Sequence, residues 1–184
     1  MTSQEKAMIE IAGTLSGLGI PYMVIGGMAN ALWGVARNTV DVDVTVWIDD
    51  KEIPGFVKIM GERFDVLPGS PEEFVRDKRV LPVKTSNDVK VDIIFGLIPY
   101  EKEAIDRAVE REINGEPVMF CTAEDLVLHK IGSDREQDIL DVKRIIETRK
   151  EELDREYLDT RVRELADMLE RPGILRIYNK AFSD

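Results

Sequence analysis

Cysteine and histidine are almost missing from this chain: Cys121 and His129 occur once each. A single cysteine excludes an internal disulfide and fits a reducing compartment. Its setting, Val118-Met119-Phe120-Cys121, is that of a buried core thiol rather than a nucleophile. One histidine and one cysteine argue against a zinc site and against Cys-His or Ser-His catalysis, so His129 reads as structural. No uninterrupted apolar run approaches the length of a membrane span. Residues 1–6 lack the basic start and apolar core of a signal peptide, so a cytoplasmic protein is expected. An excess of positive charge is missing too. Lys and Arg number 25 against 36 Asp and Glu, a formal net charge of -11. That balance argues against a protein that coats nucleic acid, and leaves room for an enzyme that touches an RNA end through a local basic patch. Repeats, low-complexity tracts and flexible linkers are also absent.

What is present is a chain of 184 residues, 43% hydrophobic and 33% charged, enough for one domain or a domain with a helical appendage. It is organised around residues 24–46. Val24-Ile25 ends an apolar strand, and Gly26-Gly27 allows a tight turn and a close approach to a ligand. A short helical segment is expected from Met28 to about Gly34, and a second strand from about Val40. In that strand Val40, Val42, Val44 and Val46 alternate with Asp41, Asp43 and Thr45, which places both aspartates on one face. Two strand rises separate their attachment points by roughly 6.5–7 Å, a span over which carboxylates can converge on a hard cation. The competing reading is a solvated strand face. Aspartate is depleted in strands, and like charges repel unless a cation neutralises them; both facts favour the cation. The glycine pair supplies the other half of a phosphate site.

Along the rest of the chain, Thr2-Ser3-Gln4-Glu5 is a capping box opening a helix to about Leu18, and residues 22–25 read as a strand. A helix starts at Asp49-Asp50 and ends near Gly61, and Ser70-Pro71 opens another that ends near Lys78. Residues 80–85 and 89–95 form a hairpin around Ser86-Asn87-Asp88. Asp92 is a lone acid in the second of these strands, read either as a metal-bound or paired carboxylate or as an edge residue in water. If that strand neighbours the Asp41/Asp43 strand, three carboxylates meet. Residues 103–109 read as helix, and Asn114-Gly115 as a hairpin turn joining 111–113 to 116–120. Thr122, Ser133 and the stretch 150–170 open or form further helices, with a last one over 174–182. Mixed α and β thus gives way to a helical last third. Arg37 could meet a phosphate or be a surface charge. Lys130 could do the same or snorkel at a helix end. Asp138 and Asp141 read as the polar face of a helix.

With these residues in place, Gly26-Gly27, Asp41-x-Asp43 and a later single acid at Asp92 resemble the nucleotidyltransferase superfamily of the DNA polymerase β type. The fuller pattern runs from Gly26-Gly27 through Arg37-x-Thr39-x-Asp41-x-Asp43 to His129-Lys130 and Arg135-x-x-Asp138-x-x-Asp141. It is similar to the AbiEii-like branch, which includes toxins of toxin–antitoxin systems. The resemblance covers roughly residues 22–141. It implies an α+β fold, a nucleotidyltransferase-type mixed β-sheet flanked by helices, with a core over 1–121 and a helical region packed on it over 122–184. It implies two Mg²⁺ ions, or Mn²⁺ in their place, held by Asp41, Asp43 and Asp92, with Asp92 helping to deprotonate the acceptor. Gly26 and Gly27 would cradle the phosphates of an NTP, within a motif that includes Thr39. Arg37 and Lys130 would neutralise phosphate charge, and Asp138 would orient Lys130 or the nucleotide. The acceptor would be a tRNA end, a protein or a small molecule, and an antitoxin partner is implied for a toxin-like member. The rival classes are a nucleotide-binding module with little or no turnover, an antitoxin-like interaction protein, and a phosphohydrolase.

Overall fold

The computed structural model describes residues 1–36, 39–133 and 135–183. The chain folds as two compact units: Met1–Met28 with Asn38–Cys121, and Ala29–Arg37 with Thr122–Asp184. The division therefore does not fall at a single point in sequence.

In the first unit, α1 (Ser3–Gly17) starts on its capping box. Thr2 Oγ1 accepts from the Glu5 N–H at 3.1 Å, and the Glu5 carboxylate accepts from the Thr2 N–H at 2.6 Å. β1 (Tyr22–Ile25) comes next and leads without a loop into α2 (Gly26–Trp33), which starts two residues earlier than expected. β2 is Val42–Val46. It begins two residues later than the alternation suggested, so Asp41 lies in a bend before the strand, and Val40 is 78% exposed. A short 3-10 turn (Asp50–Glu52) runs into α3 (Ile53–Gly61), and then come β3 (Asp65–Val66), α4 (Pro71–Lys78), β4 (Val80–Lys84) and β5 (Lys90–Phe95). The next helix, α5, is Pro99–Asp106, with proline at its start. Val109, expected in that helix, instead opens β6 (Val109–Ile113), which pairs with β7 (Glu116–Phe120) across Asn114 and Gly115, both at positive φ (52° and 88°).

Among the described residues the strands form one mixed sheet in the order β3-β4-β5-β2-β1-β7-β6. β1 and β2 are antiparallel, while β2 runs parallel to β5 and β1 parallel to β7. Val42, Val44 and Val46 of β2 and Val91, Ile93 and Phe95 of β5 are all buried on one face. α1 packs on β1, β2, β5 and β7, with Met8, Ile11 and Leu15 buried, and Phe56 of α3 meets Phe95 edge-on at 5.5 Å. Asp43, Asp92 and Lys90 project from the opposite face by strand alternation.

The second unit is helical: α6 (Ala123–Ile131), α7 (Glu136–Arg149), α8 (Arg155–Met168) and α9 (Gly173–Ser183), with the end of α2. Thr122 caps α6 by accepting from the Asp125 N–H at 3.1 Å. The helix expected over 150–170 starts only at Arg155, because Asp154 caps α8, its carboxylate accepting from the Tyr157 N–H at 3.0 Å. Leu126, Ile131, Val142, Ile145, Ile146, Leu158 and Val162 form the core. Arg149 closes the end of α2 by donating to the carbonyls of Leu32 and Trp33, each at 3.3 Å. Among the described residues no helix is long and apolar enough to cross a membrane.

Candidate functional site

The site begins where β1 ends. Ile25 is the antiparallel partner of Asp43, so the residue after Ile25 must pass beside the Asp43 side chain. That residue is Gly26, at φ +64°, a backbone conformation that costs a side-chain-bearing residue about 1–2 kcal/mol. A Cβ on Gly26 would collide with the Asp43 carboxylate, reaching Cγ at 2.9 Å and Cβ at 3.1 Å. A Cβ on Gly27 would meet Thr39 Oγ1 at 2.5 Å. The two glycines thus let the N-terminus of α2 lie against the segment that carries the acids. The N-terminus of a helix presents N–H groups and partial positive charge, which suits carboxylate or phosphate oxygens. Thr39 in turn shapes the entry to β2, its hydroxyl donating to the Asp41 carbonyl at 3.0 Å.

Parallel pairing of β2 and β5 sets Asp43 directly beside Asp92. Asp41 precedes the strand, and its carboxylate is drawn to the same group by a shared cation. Lys90 Nζ donates to Asp92 Oδ2 at 2.7 Å and lies 3.7 Å from Asp41 Oδ2. The Asp92 hydrogen bond, joined by the charges of Asp92, Asp41 and Asp43, holds this ammonium above the ordinary lysine range against partial burial. Asp41 and Asp92 remain open to solvent, at 42% and 22% side-chain exposure. Sequence reasoning missed Lys90, although the signal was there: Lys90-Val91-Asp92 in a strand puts both charges on one face.

Among the described residues no group of three or more Asp, Glu, His or Cys side chains is assembled as a metal centre. The residues nevertheless fit a divalent cation in kind. The carboxylates of Asp41, Asp43 and Asp92 would supply hard oxygen ligands, the kind that suits Mg²⁺ or Mn²⁺, and Lys90 already sits at Asp41 and Asp92.

Gly26, Gly27, Thr39, Asp41, Asp43 and Asp92 all belong to the first unit, with Lys90. Arg37 lies outside the described residues. Lys130 and Asp138 belong to the second unit. There Lys130 does not snorkel to a helix end. It is buried, donating to Asp138 Oδ1 at 3.0 Å and Asp141 Oδ2 at 2.7 Å. Asp138 and Asp141, expected on a solvated face, are 2% and 0% exposed, because they point inward to this ammonium. Arg135 Nε adds a hydrogen bond to Asp138 Oδ2 at 2.6 Å, and Gln137 donates to Asp141 Oδ1 at 3.1 Å. Burial alone would raise the Asp138 carboxyl, but the hydrogen bonds from Lys130, Ser133 and Arg135 outweigh it and hold the group below the usual carboxylate value.

A mixed sheet with paired acids on its central parallel strands, approached by a glycine pair at a strand-to-helix turn, defines a nucleotidyltransferase-like fold. The family model described as nucleotidyl transferase of unknown function (DUF2204) matches residues 4–176, and the chain belongs to that family. Solved structures of similar fold include an antigenic nucleotidyltransferase-like protein from Paracoccidioides brasiliensis, at 19% identity over 96% of this chain and 92% of that one, TM-score 0.57. ANT(2″)-Ia in complex with adenylyl-2″-tobramycin is 17% identical over 91% of this chain and 99% of that one, TM-score 0.59. The lincosamide antibiotic adenylyltransferase LnuA, with lincomycin bound, is 12% identical over 79% of this chain and 96% of that one, TM-score 0.52. At these identities the likeness is one of fold. No curated protein matches the sequence closely enough to count as a relative.

Proposed function

We propose that this protein is a divalent-metal-dependent nucleotidyltransferase that moves a nucleoside monophosphate from an NTP to an acceptor hydroxyl or phosphate. The observation that carries the proposal is the register of β2 and β5, which sets Asp43 abreast of Asp92 beside the Gly26 turn. Asp41, Asp43 and Asp92 would hold two Mg²⁺ ions, or Mn²⁺ in their place. When bound, such ions neutralise the triphosphate and the departing pyrophosphate. The N–H groups at the start of α2, from Gly26 and Gly27, hold phosphate oxygens. Thr39 keeps Asp41 in place through its backbone. Asp92, coming from a different strand than Asp43, takes the proton of the attacking hydroxyl at its carboxylate. The acceptor oxygen bonds to the α-phosphorus as the bond to pyrophosphate breaks. In the second unit, Lys130 and Asp138 are proposed to serve nucleotide binding, as is Arg37. An AbiEii-like, toxin-type role with an antitoxin partner in the cytoplasm belongs to the same proposal.

The test is incubation with each labelled NTP and Mg²⁺ or Mn²⁺ against three acceptor classes: RNA ends, proteins and hydroxylated small molecules. The last class includes tobramycin and lincomycin, since adenylyl-2″-tobramycin and lincomycin are bound in two of the structures of similar fold. Transfer of label with stoichiometric pyrophosphate release, lost in Asp43→Asn, is the expected result. Release of free phosphate would make the protein a phosphohydrolase instead. NTP binding with no turnover would leave a nucleotide-binding module.

A further inference from the structure

The carboxylate group is built with its own cation. Lys90 leaves β5 two residues before Asp92 and on the same face, so its side chain runs alongside the acids rather than away from them. Lys84, directly across from Lys90 on β4, could have shared this role, but it is drawn off to Asp88 at 2.7 Å. Lys90 alone of this cross-strand pair is therefore turned to the acids, at 2.7 Å from Asp92 and 3.7 Å from Asp41. It is also 38% exposed, on a flexible four-carbon stem, so it can leave without unpacking anything.

We propose that Lys90 is a tethered, displaceable counter-cation that offsets part of the negative charge of Asp41 and Asp92 in the resting protein and competes with divalent cations for them. This rests on the reading that Asp41, Asp43 and Asp92 are the metal ligands. A solvated ammonium is held weakly and a divalent ion with bound triphosphate strongly. Lys90 thus suppresses loading by metal alone and yields to metal that arrives with nucleotide. Its presence also keeps the acids from repelling one another in the empty site.

The experiment is direct binding of Mn²⁺ without nucleotide, by electron paramagnetic resonance and calorimetry, on the whole chain as wild type, Lys90→Met, Lys90→Gln and Asp43→Asn. Removing a partly exposed ion pair should tighten Mn²⁺ binding on the order of fivefold in both Lys90 variants. The melting temperature of both should fall without divalent ion and recover more steeply than wild type as Mn²⁺ is added. Asp43→Asn should bind Mn²⁺ much more weakly. If Asp43→Asn weakens binding while both Lys90 variants match or fall below wild type, the counter-cation role is refuted and the metal ligands stand. If Asp43→Asn binds Mn²⁺ as wild type does, the ligand assignment itself fails and Lys90 has nothing to compete for.

Discussion

Gly26 and Gly19 sit at nearly the same left-handed backbone conformation, φ +64° and +67°, yet their surroundings differ. A Cβ on Gly19 meets nothing within 4 Å, whereas one on Gly26 strikes the Asp43 carboxylate. Gly19→Ala should therefore cost only the backbone penalty, about 1–2 kcal/mol. Gly26→Ala carries the same penalty and adds overpacking, typically about 1–3 kcal/mol. Rotation of the Asp43 side chain can relieve the contacts to its oxygen and Cγ. It cannot relieve the 3.1 Å approach to Asp43 Cβ, which β1 and β5 hold in place on either side. The total for Gly26→Ala is about 2–5 kcal/mol. Urea unfolding at constant m-value measures the difference between the two variants. Turnover should separate them further, because any rotation that makes room for the methyl turns Asp43 away from its place as a proposed metal ligand. Gly19→Ala should keep near-normal transfer, and Gly26→Ala should lose most of it even in the fraction that is folded. Equal stability losses, or full transfer by Gly26→Ala, would show that Gly26 is only a turn residue and that its closeness to Asp43 has no consequence.

Asp92→Asn should lower the transfer rate by orders of magnitude while NTP affinity falls much less, since Asp41 and Asp43 remain; single-turnover rates and calorimetry on the same variant check this, and a parallel collapse of both would remove the acceptor-side role. Lys130→Met should destabilise the second unit by about 3–5 kcal/mol, because it removes the ammonium that Asp138 and Asp141 share in the interior and leaves Arg135 on Asp138 and Gln137 on Asp141 to hold them; chemical unfolding reads it, and Lys130→Met with Asp138→Asn should recover part of the loss. Asp138 has a depressed folded-state pKa, so its contribution to stability is present above the ordinary carboxylate value and is lost as pH falls below it. Asp138→Asn should therefore flatten the acid limb of the stability curve below about pH 4, and an unchanged limb would mean that other carboxylates set it.

Local signals were strong wherever short-range chemistry decides the structure. The Thr2–Glu5 capping box, the Asn114-Gly115 turn, the proline-led start of α4 and the β4–β5 hairpin all carry their geometry in adjacent residues. The glycine pair, Asp43 and Asp92 stand out in the sequence for the same reason, since glycine at a strand end and aspartate in an apolar strand are locally costly choices, whereas Asp41 lies before β2. Periodicity overreached where pairing between distant strands decides the outcome. Val40 extended the alternation of β2 in sequence, but pairing with β1 and β5 starts only at Val42. Val109 continued a helical pattern, yet cross-strand bonding to Phe120 claims it for β6.

What only the tertiary structure decided is which charges face one another. Nothing in the spacing of Asp43 and Asp92 says that β2 and β5 are parallel neighbours in that register. Nor does it say that Lys90 turns to these acids while Lys84 turns to Asp88. Asp138 and Asp141 look like an exposed helix face by sequence because helical periodicity reports which side a residue is on, not what lies there. A buried Lys130 on a neighbouring helix makes that side the interior. Pairing of charges across long sequence separations depends on strand order and helix packing, and these result from the burial of the whole apolar surface rather than from any local run of residues.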